Sequence, residues 1–117
     1  MSLYEHVIIT RPDISSNQVE ELVADTIRKF ENLGAKAGKT EYWGLRNLAY
    51  RVNKNRKAHY SLIEIDAPAA AVHEIERQHR INEDILRYMT VRVEEFSDKP
   101  SPILAKREER KRREKRD

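Results

Sequence analysis

The stretch YWGLRNLAYRVNKNRKAHY, residues 42–60, decides how this chain is read. Leu45, Leu48, Tyr50 and Val52 are strand-like, Asn53-Lys54-Asn55 is a turn signal, and Ala58 to Ile65 reads as the returning strand. A hairpin therefore sits in mid-chain. No acidic residue occurs between Glu41 and Glu64, while Arg46, Arg51, Lys54, Arg56 and Lys57 lie among Tyr42, Trp43, Tyr50, His59 and Tyr60. Cationic groups displace counterions from phosphates, and aromatic or guanidinium planes stack on unpaired bases, so the hairpin suits nucleic acid. A solvated turn is the competing reading, because Lys and Asn are ordinary turn residues.

Working outward, LYEHVIIT at 3–10 is rich in β-branched and aromatic types and stops at Arg11-Pro12-Asp13, where Pro cannot continue a paired strand. Ser15 or Ser16 can cap a helix, with Gln18 at capping-box spacing from Ser15. Val19, Leu22, Val23, Ile27, Phe30 and Leu33 then recur at three and four residues, and Gly34 closes the helix. A second strand starts near Lys36, bends or bulges at Trp43-Gly44 and enters the hairpin. Pro68 opens a second helix with Val72, Ile75 and His79 on its stripe, His79 being expected at its boundary. DILRYMTVRVEEF supplies a fourth strand. The order β-α-β-β-α-β predicts an α+β, ferredoxin-like split β-α-β domain: a four-stranded antiparallel sheet with two helices on one face.

Two helices cover one face only, yet the strands are apolar on both. Val7 and Ile9 point away from Tyr4 and Ile8, Tyr60 and Leu62 away from Ile63 and Ile65, and Met89 and Val91 away from Tyr88 and Thr90. Val7, Ile9, Tyr60, Leu62, Met89 and Val91 are thus expected to form an open face that a protein partner covers.

The 117 residues fit one small domain, residues 1–96, and a highly charged tail, residues 97–117. The tail carries nine Lys or Arg against five Asp or Glu, and its composition predicts a disordered basic arm; the body holds fourteen against fifteen. Basicity in the body is therefore local, confined to the hairpin and to the arginines between 77 and 92. The absence of Cys rules out a disulfide framework and a thiolate metal site, and fits a reducing, cytoplasmic compartment. MSLYEHVIIT lacks a basic n-region, and no stretch approaches the roughly 18 apolar residues of a membrane span. His6, His59, His73 and His79 show no metal-ligand spacing, and Gly34, Gly38 and Gly44 cannot build a phosphate-cradling loop. No metal, cofactor, small-molecule substrate or catalytic residue is expected. Glu83-Asp84 and Glu94-Glu95 are pairs in sequence only, since strand neighbours point to opposite faces.

The runs WGLRNLAY at 43–50 and RINEDILRYMTVR at 80–92, with Lys54, Tyr60, Tyr4-Glu5, Pro12 and Gly34, closely resemble the family of the sixth protein of the bacterial small ribosomal subunit, over about residues 3 to 95. Arg51 stands where that family commonly has Pro, which restores a backbone N–H and adds a charge. The resemblance implies a non-catalytic ribosomal protein that binds the central domain of small-subunit ribosomal RNA as a heterodimer with the eighteenth small-subunit protein. It implies RNA or partner contacts for Arg46, Arg80, Arg87 and Arg92, whereas Arg51, Lys54, Arg56 and Lys57 rest on local charge. A free-standing single-strand RNA binder of the RNA-recognition-motif type shares the topology, but Tyr60 alone is an open-face aromatic on a central strand and no Arg/Lys-Gly-Phe-like run occurs. A phosphate hydrolase of acylphosphatase type is disfavoured because the loop RPDISSN has one Arg and no glycine.

Overall fold

A computed structural model describes residues 2–52 and 55–95, with backbone alone over 49–52. In chain order the elements are β1 (Ser2–Thr10), α1 (Ser16–Asn32), β2 (Lys36–Val52), β3 (Asn55–Ala67), α2 (Ala69–Arg80) and β4 (Ile85–Val93). The strands form one antiparallel sheet in the order β2-β3-β1-β4, the ferredoxin-like arrangement. The expected turn residues Asn53 and Lys54, and the tail 97–117, lie outside the described residues.

Local chemistry sets the helix ends. Ser15 is the N-cap of α1: its Oγ accepts from the Gln18 backbone N–H at 3.2 Å, and Gln18 Oε1 accepts from the Ser15 N–H at 2.8 Å. Two otherwise orphaned donors are satisfied reciprocally. Gly34, at φ +89°, follows the last turn in a conformation that a Cβ would strain. Pro68 stands at the N-cap of α2 with no side-chain cap, its fixed φ of −70° turning the chain out of β3.

Both helices pack on one sheet face. Phe30 from α1 and Val72 and Ile75 from α2 meet Ile8, Ile63, Ile65 and Ile85 in the main core. His6 belongs to the same face and is fully buried, edge-on to Phe30 at 5.6 Å. His79, expected at the boundary of the α2 apolar stripe, is instead buried, 2.9 Å from His6 through the two Nε2 atoms; His6 Nδ1 lies 2.8 Å from Thr90 Oγ1. An N–H of one ring donates to the bare nitrogen of the other, so the accepting ring has to be neutral. Burial, and then the neighbouring His79, hold the His6 pKa down to about 3. Burial, and then the Lys29 charge, bring His79 to about 4.

The second face holds a cluster of its own. Val7, Trp43, Ala58, Tyr60 and Leu62 are buried there, with Ile9, Leu48 and Leu86 packed against them. The cause is a bulge in β2: Tyr42 pairs with Ser61 and Gly44 with Tyr60, leaving Trp43 extra, while Gly44 takes φ +81°. Trp43 is thereby laid parallel to Tyr60, ring centroids 6.2 Å apart. The hairpin covers part of the face that the helices leave.

Candidate nucleic-acid and protein interface

β3 pairs with β1 only from His59, opposite Thr10, to Ala67. Asn55 to Ala58 run on beyond the sheet body, paired with β2 alone, an overhang of about 13 Å at ~3.3 Å per residue. Arg46 lies opposite Ala58 and Lys57 opposite Asn47 on this arm, and Arg56 and Lys57 are exposed. Strand alternation puts Arg46 and Arg56 on the open face and Lys57 on the other. Arg46 Nε donates to the Trp43 carbonyl at 2.8 Å, which anchors that guanidinium against the bulge.

Arg87, opposite Ile9, joins the open face at the same end of the sheet and is exposed. Arg80 closes α2 shortly before β4 begins, so it reaches that end from the helix layer. Arg92 is separate: it pairs with Tyr4 near the opposite end and shares the parity of the helix-covered face. The Arg51 side chain and Lys54 lie outside the described residues. The structure thus brings Arg46, Arg56, Lys57, Arg80 and Arg87 to one end and leaves Arg92 away from them.

Of the residues expected to meet a protein partner, Val7, Tyr60 and Leu62 do share the open face but are 1%, 4% and 1% exposed, closed over by the chain itself. Ile9 is partly buried. Met89 and Val91, at 44% and 37%, are the exposed apolar surface on this face. Tyr60, stacked under Trp43, offers no free ring to a base, which removes the main stacking candidate of an RNA-recognition-motif site.

Sequence reading missed three carboxylates at the far end of the face. Glu5 lies directly opposite Glu64 on one side and Val91 on the other, and Glu41 lies opposite Leu62. Gly38 makes room for this: a Cβ there would come within 3.2 Å of Glu64 Cβ, and the next residue's backbone N–H, from Lys39, donates to Glu64 Oε1 at 2.9 Å. Glu41 receives Lys39 Nζ at 3.9 Å and the Trp43 Nε1–H at 3.4 Å. Burial, followed by the Glu41 and Glu64 charges, raises the Glu5 pKa against the opposing pull of Lys39. Periodicity gives no sign of this trio, because only strand register brings its members together.

Among the described residues no His, Cys, Asp or Glu cluster could hold a metal, and no helix is long and apolar enough to cross a membrane. Fold and surface together define a ferredoxin-like α+β domain with a cationic two-stranded arm. The family model of Ribosomal protein S6 matches residues 3–92. Small ribosomal subunit protein bS6 of Hyphomonas neptunium is 60% identical over 111 residues, covering 95% of this chain and 99% of that protein. The bS6 protein of Maricaulis maris is 53% identical, with 95% of each chain covered. The crystal structure of 30S ribosomal protein S6 from Thermotoga maritima superposes with a TM-score of 0.73 at 25% identity, covering 96% of this chain and 97% of that one. The chain belongs to the ribosomal protein S6 family of the small ribosomal subunit.

Proposed function

We propose that this protein is a structural, non-catalytic constituent of the small ribosomal subunit, at work on the cytoplasmic ribosome. It binds the central domain of small-subunit ribosomal RNA in a heterodimer with the eighteenth small-subunit protein. The observation that carries the reading is the polarity of the open face. Arg46, Arg56 and Arg87 stand at its arm end and exposed Met89 and Val91 lie farther along, so one surface offers both cations for phosphate and apolar area for a protein. Family membership supplies the ribosomal context. RNA meets the arm first, because two strands without a covering layer can enter a groove or a junction that the two-layered body cannot.

The test is the salt dependence of RNA binding by the heterodimer. Each phosphate contact contributes roughly 0.7 to 0.9 to the slope of log affinity against log salt. Replacing Arg46, Arg56 and Lys57 together by Gln should flatten the slope by about two units and weaken binding similarly across RNA sequences. An unchanged slope would remove the arm from the RNA interface. In lysate, the protein should sediment with ribosomal subunits in high salt, and a large free pool would contradict the assignment.

A further inference from the structure

The helix layer is narrower than the sheet, and along its β2 side it leaves a groove of about 430 Å³. One wall is α1, where Val19, Val23 and Ile27 recur every four residues on one helix face; the floor is Thr40 and Tyr42 of β2 with Ser61 of β3. Ser61 is 2% exposed, and its Oγ has no hydrogen-bond partner among the described residues. Register sets it between Tyr42 and Ile8 on the helix-side face, so the hydroxyl is directed into the groove. A buried hydroxyl left unbonded costs stability, and an apolar group of similar size would not, so packing alone does not explain a serine there. Tyr42 is 47% exposed, yet its ring is fixed. The Ile14 carbonyl can only accept, so His59 donates to it through Nε2–H at 2.8 Å; in the neutral ring Nδ1 is then bare and accepts from the Tyr42 O–H at 2.7 Å. The two rings stack with centroids 6.0 Å apart, and the exposed remainder of the phenol borders the groove. A held aromatic plane beside an unused hydrogen-bonding group is a combination that reads an unpaired base.

We propose that this groove takes one unpaired guanine of the RNA bound by the arm, stacked on Tyr42 and hydrogen-bonded by Ser61 Oγ. The inference rests on the reading that the arm binds RNA and adds a base-reading site on the helix side of the sheet. Lys57 is the link. It is exposed on that same side of the arm, four residues or about 13 Å from Ser61 along β3, so a strand whose phosphate meets Lys57 can lay a neighbouring base in the groove. Guanine suits the remaining groups because its Watson–Crick edge sets two N–H donors beside a carbonyl. Glu20, at the exposed rim, offers two acceptor oxygens to those donors, and the Ser61 hydroxyl can donate to the carbonyl. A carboxylate there also repels phosphate, which favours a base over the RNA backbone inside the groove.

The test follows the isotope-labelled full chain by NMR as the eighteenth small-subunit protein, and then a single-stranded RNA hexamer, UUGGUU, UUAAUU or UUUUUU, is added. UUGGUU should shift the amides of residues 19–27 and 40–42 saturably and bind about fivefold more tightly than the other two. Tyr42→Ala should weaken UUGGUU about tenfold, and Tyr42→Phe, which keeps the ring, should hold it within about twofold. Ser61→Ala should abolish the preference for guanine while the free chain's Tm stays level or rises. A serine that serves only the fold would lower Tm instead and leave the preference intact. Glu20→Gln repeats the test at an exposed position and should also reduce the preference. Replacing Arg46, Arg56 and Lys57 by Gln separates this inference from the one beneath it. If that triple variant weakens all three hexamers alike while the Tyr42, Ser61 and Glu20 variants change nothing, the base site is overturned and RNA binding by the arm stands. If none of the variants changes affinity, both are overturned. Groove amides that shift with the partner protein and not with RNA would make the groove a protein contact and overturn the base site.

Discussion

The two faces of this sheet bury apolar residues by different means. On one face, α1 and α2 bring Phe30, Val72 and Ile75 down onto Ile8, Ile63 and Ile65, and polar groups within the layer, His6 and His79, bond each other. On the other, no helix is available, and the chain folds its own β2–β3 arm so that Trp43 covers Tyr60 beside Val7 and Leu62. The first face is closed along its length. The second is closed at one end only, and Met89 and Val91 stay exposed beside Glu5. A one-sided sheet thus need not be bare on its free side; the part left open is where exposed apolar side chains remain, Met89 and Val91.

The largest expected effect tests whether the second cluster is a core at all. Phe30→Ala should cost about 3–5 kcal/mol, and Leu62→Ala, 1% exposed on the supposedly open side, about 2–4 kcal/mol in urea denaturation. A cost below about 1 kcal/mol for Leu62→Ala would make the second cluster a surface feature and break the comparison.

Acid should act on the two faces with opposite sign. His6 and His79 have folded pKa values of about 3 and about 4 against an ordinary 6.5, so between those limits the unfolded chain binds more protons. Their contribution is complete above pH 6.5 and is lost as pH falls toward 3. Glu5, its pKa raised above 4.5, binds a proton in the folded chain before the unfolded chain does, so its side of the sheet gains as pH falls through that range. His6→Gln should flatten the acid loss of stability, and Glu5→Gln should steepen it. Profiles of Tm against pH that coincide for all three chains would refute the difference.

A smaller effect is expected at the entrance to α1. Ser15→Ala removes one side of the capping box and should cost about 1 kcal/mol, felt on the helix-covered face through Val19 and Phe30. The smallest belongs to Met89: in the free chain, Met89→Ser should stay within about 0.5 kcal/mol, since its side chain is 44% exposed. A destabilisation of several kcal/mol there would show that the open end is already closed.

Most of the fold is legible because its signals are local. Ser15 and Gln18 sit three apart, α1 repeats its apolar residues with helical period, and Trp43-Gly44 marks the bulge. Strand alternation likewise assigns Val7, Leu62 and Met89 to one side. Alternation gives direction and not depth, so the burial of Val7, Tyr60 and Leu62 under the arm had no sequence signal. The His6–His79 bond joins residues 73 apart, and Glu5, Glu41 and Glu64 meet only through register. Local charge pointed to the arm as basic, but the isolation of Arg92 from the other arginines follows from β4 running antiparallel to β1.

The bulge at Trp43 has an arithmetic consequence. Just before it, even-numbered Thr40 and Tyr42 have the helix-side parity; after it, even-numbered Gly44 and Arg46 share the side of Tyr60 and Ala58. One surplus residue inverts odd and even from Gly44 as far as Asn47, where the register holds before it shifts again toward Val52. Gly44, at φ +81°, is where that inversion is set, and a β-branched residue cannot hold such a backbone without strain. A single Gly44→Val substitution that straightened the strand there would therefore re-address the stretch that follows it, sending Arg46 and Leu48 to the side where Leu45 and Asn47 now stand, with no charge added or removed anywhere in the chain.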